Sequence, residues 1–312
     1  MKFTTDSYIE IGNSHNICED YALNGVITGS NGDMPFIIVA DGCSSSKMTD
    51  VGSRIMALSC KKAICERYPA IDKLETLLKG EITMANYLSA EIFIRTKHIA
   101  MTTAEQFGLP YSVCDATLLY AFIYSGRLYI NAYGDGNIII KTKEEGECYT
   151  YWINLVYESN APFYMSYDMD LMRRQQYLDD ERFGKKEFTV ESHVIEGNDN
   201  VDSPYDVEAK KPSQHFMRDI DITQLQSITL ASDGMESFSH SHKRLCTSPA
   251  PSPEEIESLK PANMMWRMVA YKNFNGEFVK RRMKKMKQEV EKIQGEHYDD
   301  ISSATIRVNH GE

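Results

Sequence analysis

Four acidic positions fall at the ends of apolar, β-rich runs. Glu19-Asp20 opens one in HNICEDYAL, Asp41-Gly42 ends FIIVADG, Asp233-Gly234 ends ITLASDG, and Asp299-Asp300 stands before the last in HYDDISSATIRV. One Asp-Gly is an ordinary turn. Four such positions at the ends of strands that should be neighbours in a core form a constellation. Clustered carboxylates repel one another and lose hydration, and a bound divalent cation is the usual compensation. Hard oxygen donors without a matching Cys/His set point to Mg²⁺ or Mn²⁺ rather than zinc. The eight histidines form no HExxH spacing, and His240 and His242 in SHSH read as exposed loop residues. The seven cysteines contain no CxxC pair and no Cys-x5-Arg loop, so zinc ligation, a disulfide framework and cysteine-phosphatase chemistry are not suggested.

The elements that must position these carboxylates are legible in outline. Strands are expected at 8–11, 21–27 and 36–40, with GSNGD at 29–33 between the second and third. The run FIIVA is short and rich in Ile and Val, as in a strand buried on both faces. Apolar residues at helical spacing predict helices over 48–68 (Val51, Ile55, Leu58, Ile64) and 83–106 (Met84, Leu88, Ile92, Ile99). Strands at 116–124, 127–132 and 138–141, joined at Ser125-Gly126 and at YGDGN, read as an antiparallel meander. From 165 to 224 the pattern blurs, and polar, proline-containing 198–214 reads as a loop or insertion. A strand is expected next at 227–231. Ser252, Pro253 and Glu255 then read as a helix start, an amphipathic helix runs over 278–293, and the last strand is 303–308. Strands at both ends with helices between predict one α+β domain over residues 1–312, its terminal strands meeting in one core.

A chain of 312 residues with 42% hydrophobic and 25% charged residues is ordinary globular composition and can bury a sizeable core. The net charge of −11 disfavours nucleic acid and anionic membrane as partners. KRRMKKMK at 280–287 lacks interleaved aromatics and reads as the solvated face of an amphipathic helix. MKFTTDSYIE has no apolar signal-peptide core, and no apolar run approaches the ~20 residues of a spanning helix. The expectation is a reduced, cytoplasmic protein.

In order and spacing these motifs resemble the metal-dependent protein phosphatases of type 2C, from about Tyr8 to Val308. The opening GNSHNICEDYAL is most similar to a divergent bacterial branch of that family. The resemblance implies a four-layer α-β-β-α sandwich of two antiparallel sheets flanked by helix pairs, and the polar 165–224 segment reads as an insertion or flap within it. It implies two ions, Mn²⁺ or Mg²⁺. Asp41 would bridge them, the Gly42 carbonyl would bind one, Asp233 and Asp299 would complete one shell, and Glu19 and Asp20 would hold the other ion. Asp115 lies near where many members place an acidic residue for a third, weaker metal. Asp135 matches a turn that is not a metal ligand, which implies a structural role.

The reaction that the resemblance implies is hydrolysis of a phosphate monoester by a metal-activated water. Its substrate would be phosphoserine or phosphothreonine in proteins, in signalling with a cognate Ser/Thr kinase. Two positions depart from the family pattern. His15 stands where well-known members have a phosphate-binding Arg, and Cys43 stands where they have a His after Asp-Gly. His15 could bind phosphate when protonated, serve as the acid, or only hydrogen-bond its own loop. Cys43 reads as a packing residue. Two rivals stay open: a non-catalytic phosphoprotein-binding module, and a phosphatase of small molecules.

Overall fold

The run that ends at Asp41 becomes the strand β3 (Gly32–Ala40). In this computed structural model all residues are described except 31, 78–84, 145, 197–213, 242–245, 247–249 and 312. One sheet orders β2 (Tyr21–Gly29), β3, β4 (Leu118–Tyr124), β5 (Arg127–Tyr133) and β9 (His215–Asp221). The other orders β1 (Lys2–Glu10), β13 (Ile301–Asn309), β10 (Leu225–Ala231), β6 (Gly136–Glu144), β7 (Glu147–Tyr157) and β8 (Phe188–Glu196). Neighbours are antiparallel throughout.

β3 is buried on both faces, as its composition predicts. Ile37 and Val39 point between the sheets, where they meet Leu119, Ile138, Ile228 and Ile306. Phe36 and Ile38 point outward against α1 (Thr49–Leu77) and α2 (Ala85–Gln106). Each large apolar side chain so buried contributes roughly 1.5–3 kcal/mol before entropy is counted. On the far side, α5 (Pro261–Val269) and α6 (Phe278–Lys292) cover the six-stranded sheet with Met264, Met268, Met283 and Val290. The result is the expected α-β-β-α sandwich. The short α4 (Pro253–Ser258) starts with the expected capping box between Ser252 and Glu255.

Several local readings are corrected. Strands 4 to 6 are not one meander: β5 pairs with β4, whereas β6 pairs with β7 and β10 in the other sheet. The YGDGN turn therefore carries the chain from one sheet to the other. The 165–224 segment is not wholly an insertion, since β8 and β9 form edge strands of the two sheets, and α3 (Leu171–Asp179) precedes them. Their half-exposed, polar-rich edges conceal the strand pattern. Most of the 198–214 loop lies outside the described residues, as do 83–84 of the expected helix and His242. His240 is buried, not exposed: it sits in β11 (Phe238–His240), paired with β12 (Gly295–His297), and its Nδ1 lies 3.1 Å from the Ile293 carbonyl. No helix among the described residues is long and apolar enough to cross a membrane.

Antiparallel register fixes where the strand-end carboxylates go. A strand's start lies beside its neighbour's end: Tyr21 pairs with Ala40, Ala231 with Asn137 and Ser303, and Leu118 with Tyr133. Asp20, Asp41, Asp135, Asp233 and the pair Asp299-Asp300 are thereby brought to one common edge of the two sheets.

Candidate active site

At that edge is a cleft of ≈ 200 Å³ whose lining includes His15, Glu19, Asp41, Gly42, Asp135, Asp233 and Asp299. Cys43 and Thr117 line it from the strand ends, and Asn160, Pro162 and Tyr164 form another wall. The Asp41 backbone is pinned on both sides: its carbonyl accepts from the Thr117 N–H at 2.8 Å, and its own N–H donates to Thr117 Oγ1 at 3.1 Å. Gly42 N–H donates to the Glu19 carbonyl, and a Cβ on Gly42 would stand 2.7 Å from the Thr49 carbonyl oxygen, so the close approach requires glycine.

Asp300, buried at 2% exposure, organises the opposite side. Its carboxylate accepts from Gly12 N–H at 2.7 Å and Glu19 N–H at 2.6 Å, and His15 Nδ1 lies 3.0 Å away. His15 Nε2 lies 3.5 Å from Asp299 Oδ1. His15 thus faces the carboxylates that precede β13 rather than serving its own loop alone. The Asp300 carboxylate, with Asp299 and Glu19 adding to it, holds the imidazole pKa above its usual 6.5.

The carboxylates strain one another. Asp20 is fully buried beside the cleft, with Asp41 and the hydroxyl groups of Ser232 and Ser302 around its carboxylate. Burial pushes its pKa up to about 7, with the Asp233 charge contributing. Burial, then Asp20 and Asp233, holds Asp41 well above the ordinary carboxylate range. Burial and Asp233 take Asp135 to about 8 and raise Asp299 in the same direction. Among the described residues no lysine or arginine lines this cleft.

That donor chemistry fits a hard divalent cation: anionic oxygens are in excess, one carboxylate is fully buried beside them, and His15 is the one basic side chain among the described residues of the lining. The arrangement is a shared cleft rather than a finished shell, since among the described residues no three His, Cys, Asp or Glu side chains are grouped closely enough to hold an ion. Sequence reasoning misses Asp135 as a cleft residue. A signal is available, because it too sits at a strand end, but its neighbours are in different sheets. Asn160, Pro162 and Tyr164 come from an irregular segment that no periodicity marks.

Asp115 is placed apart from the others and does not line the cleft. Its carboxylate receives four contacts from three segments: two from Arg173 Nη2 at 2.7 and 2.9 Å, one from Ser46 Oγ at 2.9 Å and one from Ser166 Oγ at 2.6 Å. These fill the acceptor positions a carboxylate has. Arg173 supplies the positive charge beside Asp115, the residue expected to serve a third, weaker metal. The pair ties the segment carrying Asn160, Pro162 and Tyr164 to the loop after Gly42. Substituting Arg173 with Met leaves Asp115 buried and unpaired, and the expected cost is roughly 3 kcal/mol, read from denaturant unfolding. An unchanged unfolding midpoint would show the pair to be idle.

Comparison with known proteins agrees with the resemblance drawn from the motifs. Residues 12–154 match the family described as Protein phosphatase 2C. The chain is similar in structure to a serine-threonine phosphatase 2C from Toxoplasma gondii, at TM-score 0.51 and 12% identity, over 98% of this chain and 95% of that one. The serine/threonine phosphatase Stp1 from Staphylococcus aureus aligns at TM-score 0.47 and 10% identity, over 99% and 96% of the two chains. No curated protein sequence matches. The chain therefore has the type 2C phosphatase fold, and the matched stretch contains Glu19, Asp20, Asp41 and Gly42 but neither Asp233 nor Asp299.

Proposed function

We propose that the protein is an Mn²⁺- or Mg²⁺-dependent phosphatase of phosphoserine or phosphothreonine in proteins. The observation that carries this reading is the carboxylate cleft itself, with Asp20 fully buried beside it and, among the described residues, no lysine or arginine along the wall. Asp41, the Gly42 carbonyl, Asp233, Asp299, Glu19 and Asp20 are the groups that would hold two ions. Divalent cations, when bound, supply an activated water and offset phosphate charge.

The chain's own residues do the rest. Thr117 and the Glu19 carbonyl fix the Asp41-Gly42 backbone, so the donor carboxylate needs no reorganisation. Asp300 keeps His15 protonated further toward neutral pH, which suits it to meet a phosphate oxygen where an Arg is missing. Cys43 lines the cleft with its Sγ 3.0 Å from Ser45 Oγ, as a small wall residue without a part in the reaction. A phosphoprotein substrate, a cognate kinase and a place in cytoplasmic signalling belong to the same reading. The seven cysteines, none in a disulfide, suit a reducing compartment.

A non-catalytic, phosphoprotein-binding reading is favoured by one observation, that the carboxylates do not stand as a finished shell. Hydrolysis of p-nitrophenyl phosphate and of a phosphothreonine peptide separates the two. Turnover with Mn²⁺, abolished by chelator and restored by added Mn²⁺, is expected. Binding of the phosphopeptide without turnover at any metal concentration would favour the binding module.

A further inference from the structure

A second hollow lies on the outer helix layer and shares no residue with the cleft. It measures ≈ 200 Å³, and its charged lining residues are Lys272, Arg281, Arg282 and Lys285, with Tyr271 and Phe278 among the rest. No carboxylate among the described residues lines it. In a chain of net charge −11, four cations around one small hollow are not a random sample of the surface.

These cations are poorly neutralised. Glu289 is the one acidic partner of two of them among the described residues, at 3.4 Å from Arg282 and 3.6 Å from Lys285. Arg281 donates to the neutral Asn273 Oδ1 at 2.9 Å and feels the Glu277 charge without an ion-pair contact, and Lys272 has no ion pair among the described residues. Arg282 departs most from a solvated helix face. Its side chain is only 10% exposed, and its guanidinium also donates to the Arg267 carbonyl. A guanidinium so desolvated, held by the Arg267 carbonyl and by Glu289 at 3.4 Å, fixes a positive edge of the hollow.

The hollow opens into a groove of ≈ 660 Å³ with which it shares Ala270, Lys272, Arg282 and Lys285. Trp266, 41% exposed, lines that groove and offers an apolar surface beside the charges. We propose that this hollow and groove form a docking site for a short acidic peptide segment, whose carboxylate or phosphoryl side chain enters among Lys272, Arg281, Arg282 and Lys285. The shape and charge favour a peptide over other polyanions. Glu254, Glu255 and Glu289 also line the groove, so the positive charge is concentrated at the hollow. This suits one or two anionic side chains of a peptide whose remaining residues are neutral, and opposes a long nucleic acid or an anionic membrane.

Trp266 reports on occupancy, since Trp152, the chain's second tryptophan, is buried. The full chain is titrated at low salt with a ten-residue peptide bearing clustered Asp and Glu, with its phosphoserine counterpart, and with an Asn/Gln counterpart of the same length. The expected result is a saturable change in Trp emission, absent in W266F, with the acidic or phosphorylated peptide binding at least about tenfold tighter than the neutral one. The exposed double variant K272E/K285E should weaken that binding about tenfold or more, with an unchanged melting temperature and unchanged turnover of p-nitrophenyl phosphate. The two anionic peptides distinguish carboxylate from phosphoryl recognition. Equal binding of neutral and acidic peptides overturns the proposal, as does equal binding by the charge-reversed variant. Tighter binding of a single-stranded oligonucleotide, or of vesicles rich in phosphatidylserine, overturns it in favour of those partners. Should K272E/K285E fold poorly, K272Q alone carries the comparison.

Discussion

Substituting Asp41 with Asn should reduce Mn²⁺-dependent hydrolysis of p-nitrophenyl phosphate by about a thousandfold or more. The change is isosteric, and the backbone at this position is held by Thr117 on both its N–H and its carbonyl, so the local chain should not move. What disappears is one anionic oxygen donor between Asp20 and Asp233. Removing that donor reduces repulsion in the metal-free protein, so the variant should melt at the same temperature or higher. Loss of activity with gain of stability separates a catalytic carboxylate from a structural one. Asp233→Asn should behave alike, since its charge raises the pKa of Asp20, Asp41 and Asp135. Activity within a few-fold of wild type in either variant would remove the dimetal reading.

The metal-free protein should lose stability as pH rises, and Asp20→Asn should abolish much of that loss. A carboxyl whose pKa is higher in the folded state binds its proton more tightly when folded. Its favourable contribution is complete below the ordinary value of 3.8 and is lost as pH rises through about 7. Wild type and Asp20→Asn should therefore melt at similar temperatures near pH 4 and separate by several degrees toward pH 8, the variant being higher. Mn²⁺ should raise the wild-type melting temperature more at pH 8 than at pH 5, because cation and proton compete for the same oxygens. Scanning calorimetry across pH, with and without Mn²⁺, measures both. A melting temperature indifferent to pH, Mn²⁺ and the substitution would mean that these carboxylates do not share a site in solution.

The core strands are legible because their composition leaves few choices. FIIVA is too short for a buried helix and too apolar for a loop, and the Val279–Val290 spacing admits one helical face. Edge strands are not legible. β8 alternates between exposed and half-buried positions, and its apolar face of Phe188, Val190 and Val194 is interrupted by Ser192 and ends at Glu196, so its period-two signal is weak beside that of the core strands. His240 is misread for the complementary reason. Its flanking serines suggest a loop, and the pairing with β12 that buries it lies far along the chain.

The candidate site divides the same way. Sequence alone determined which residue types sit at strand ends, and with them the donor chemistry of Glu19, Asp20, Asp41, Asp233 and Asp299. Only the tertiary structure decided that Asp135 joins them, because the chain changes sheets at that turn and the two sheet edges close on one cleft. It also decided that Asp115 does not, because Arg173, 58 positions along the chain, reaches that carboxylate. Charge and side-chain type are properties of a position. Which charges meet is set by register and sheet packing, which no local stretch of chain contains.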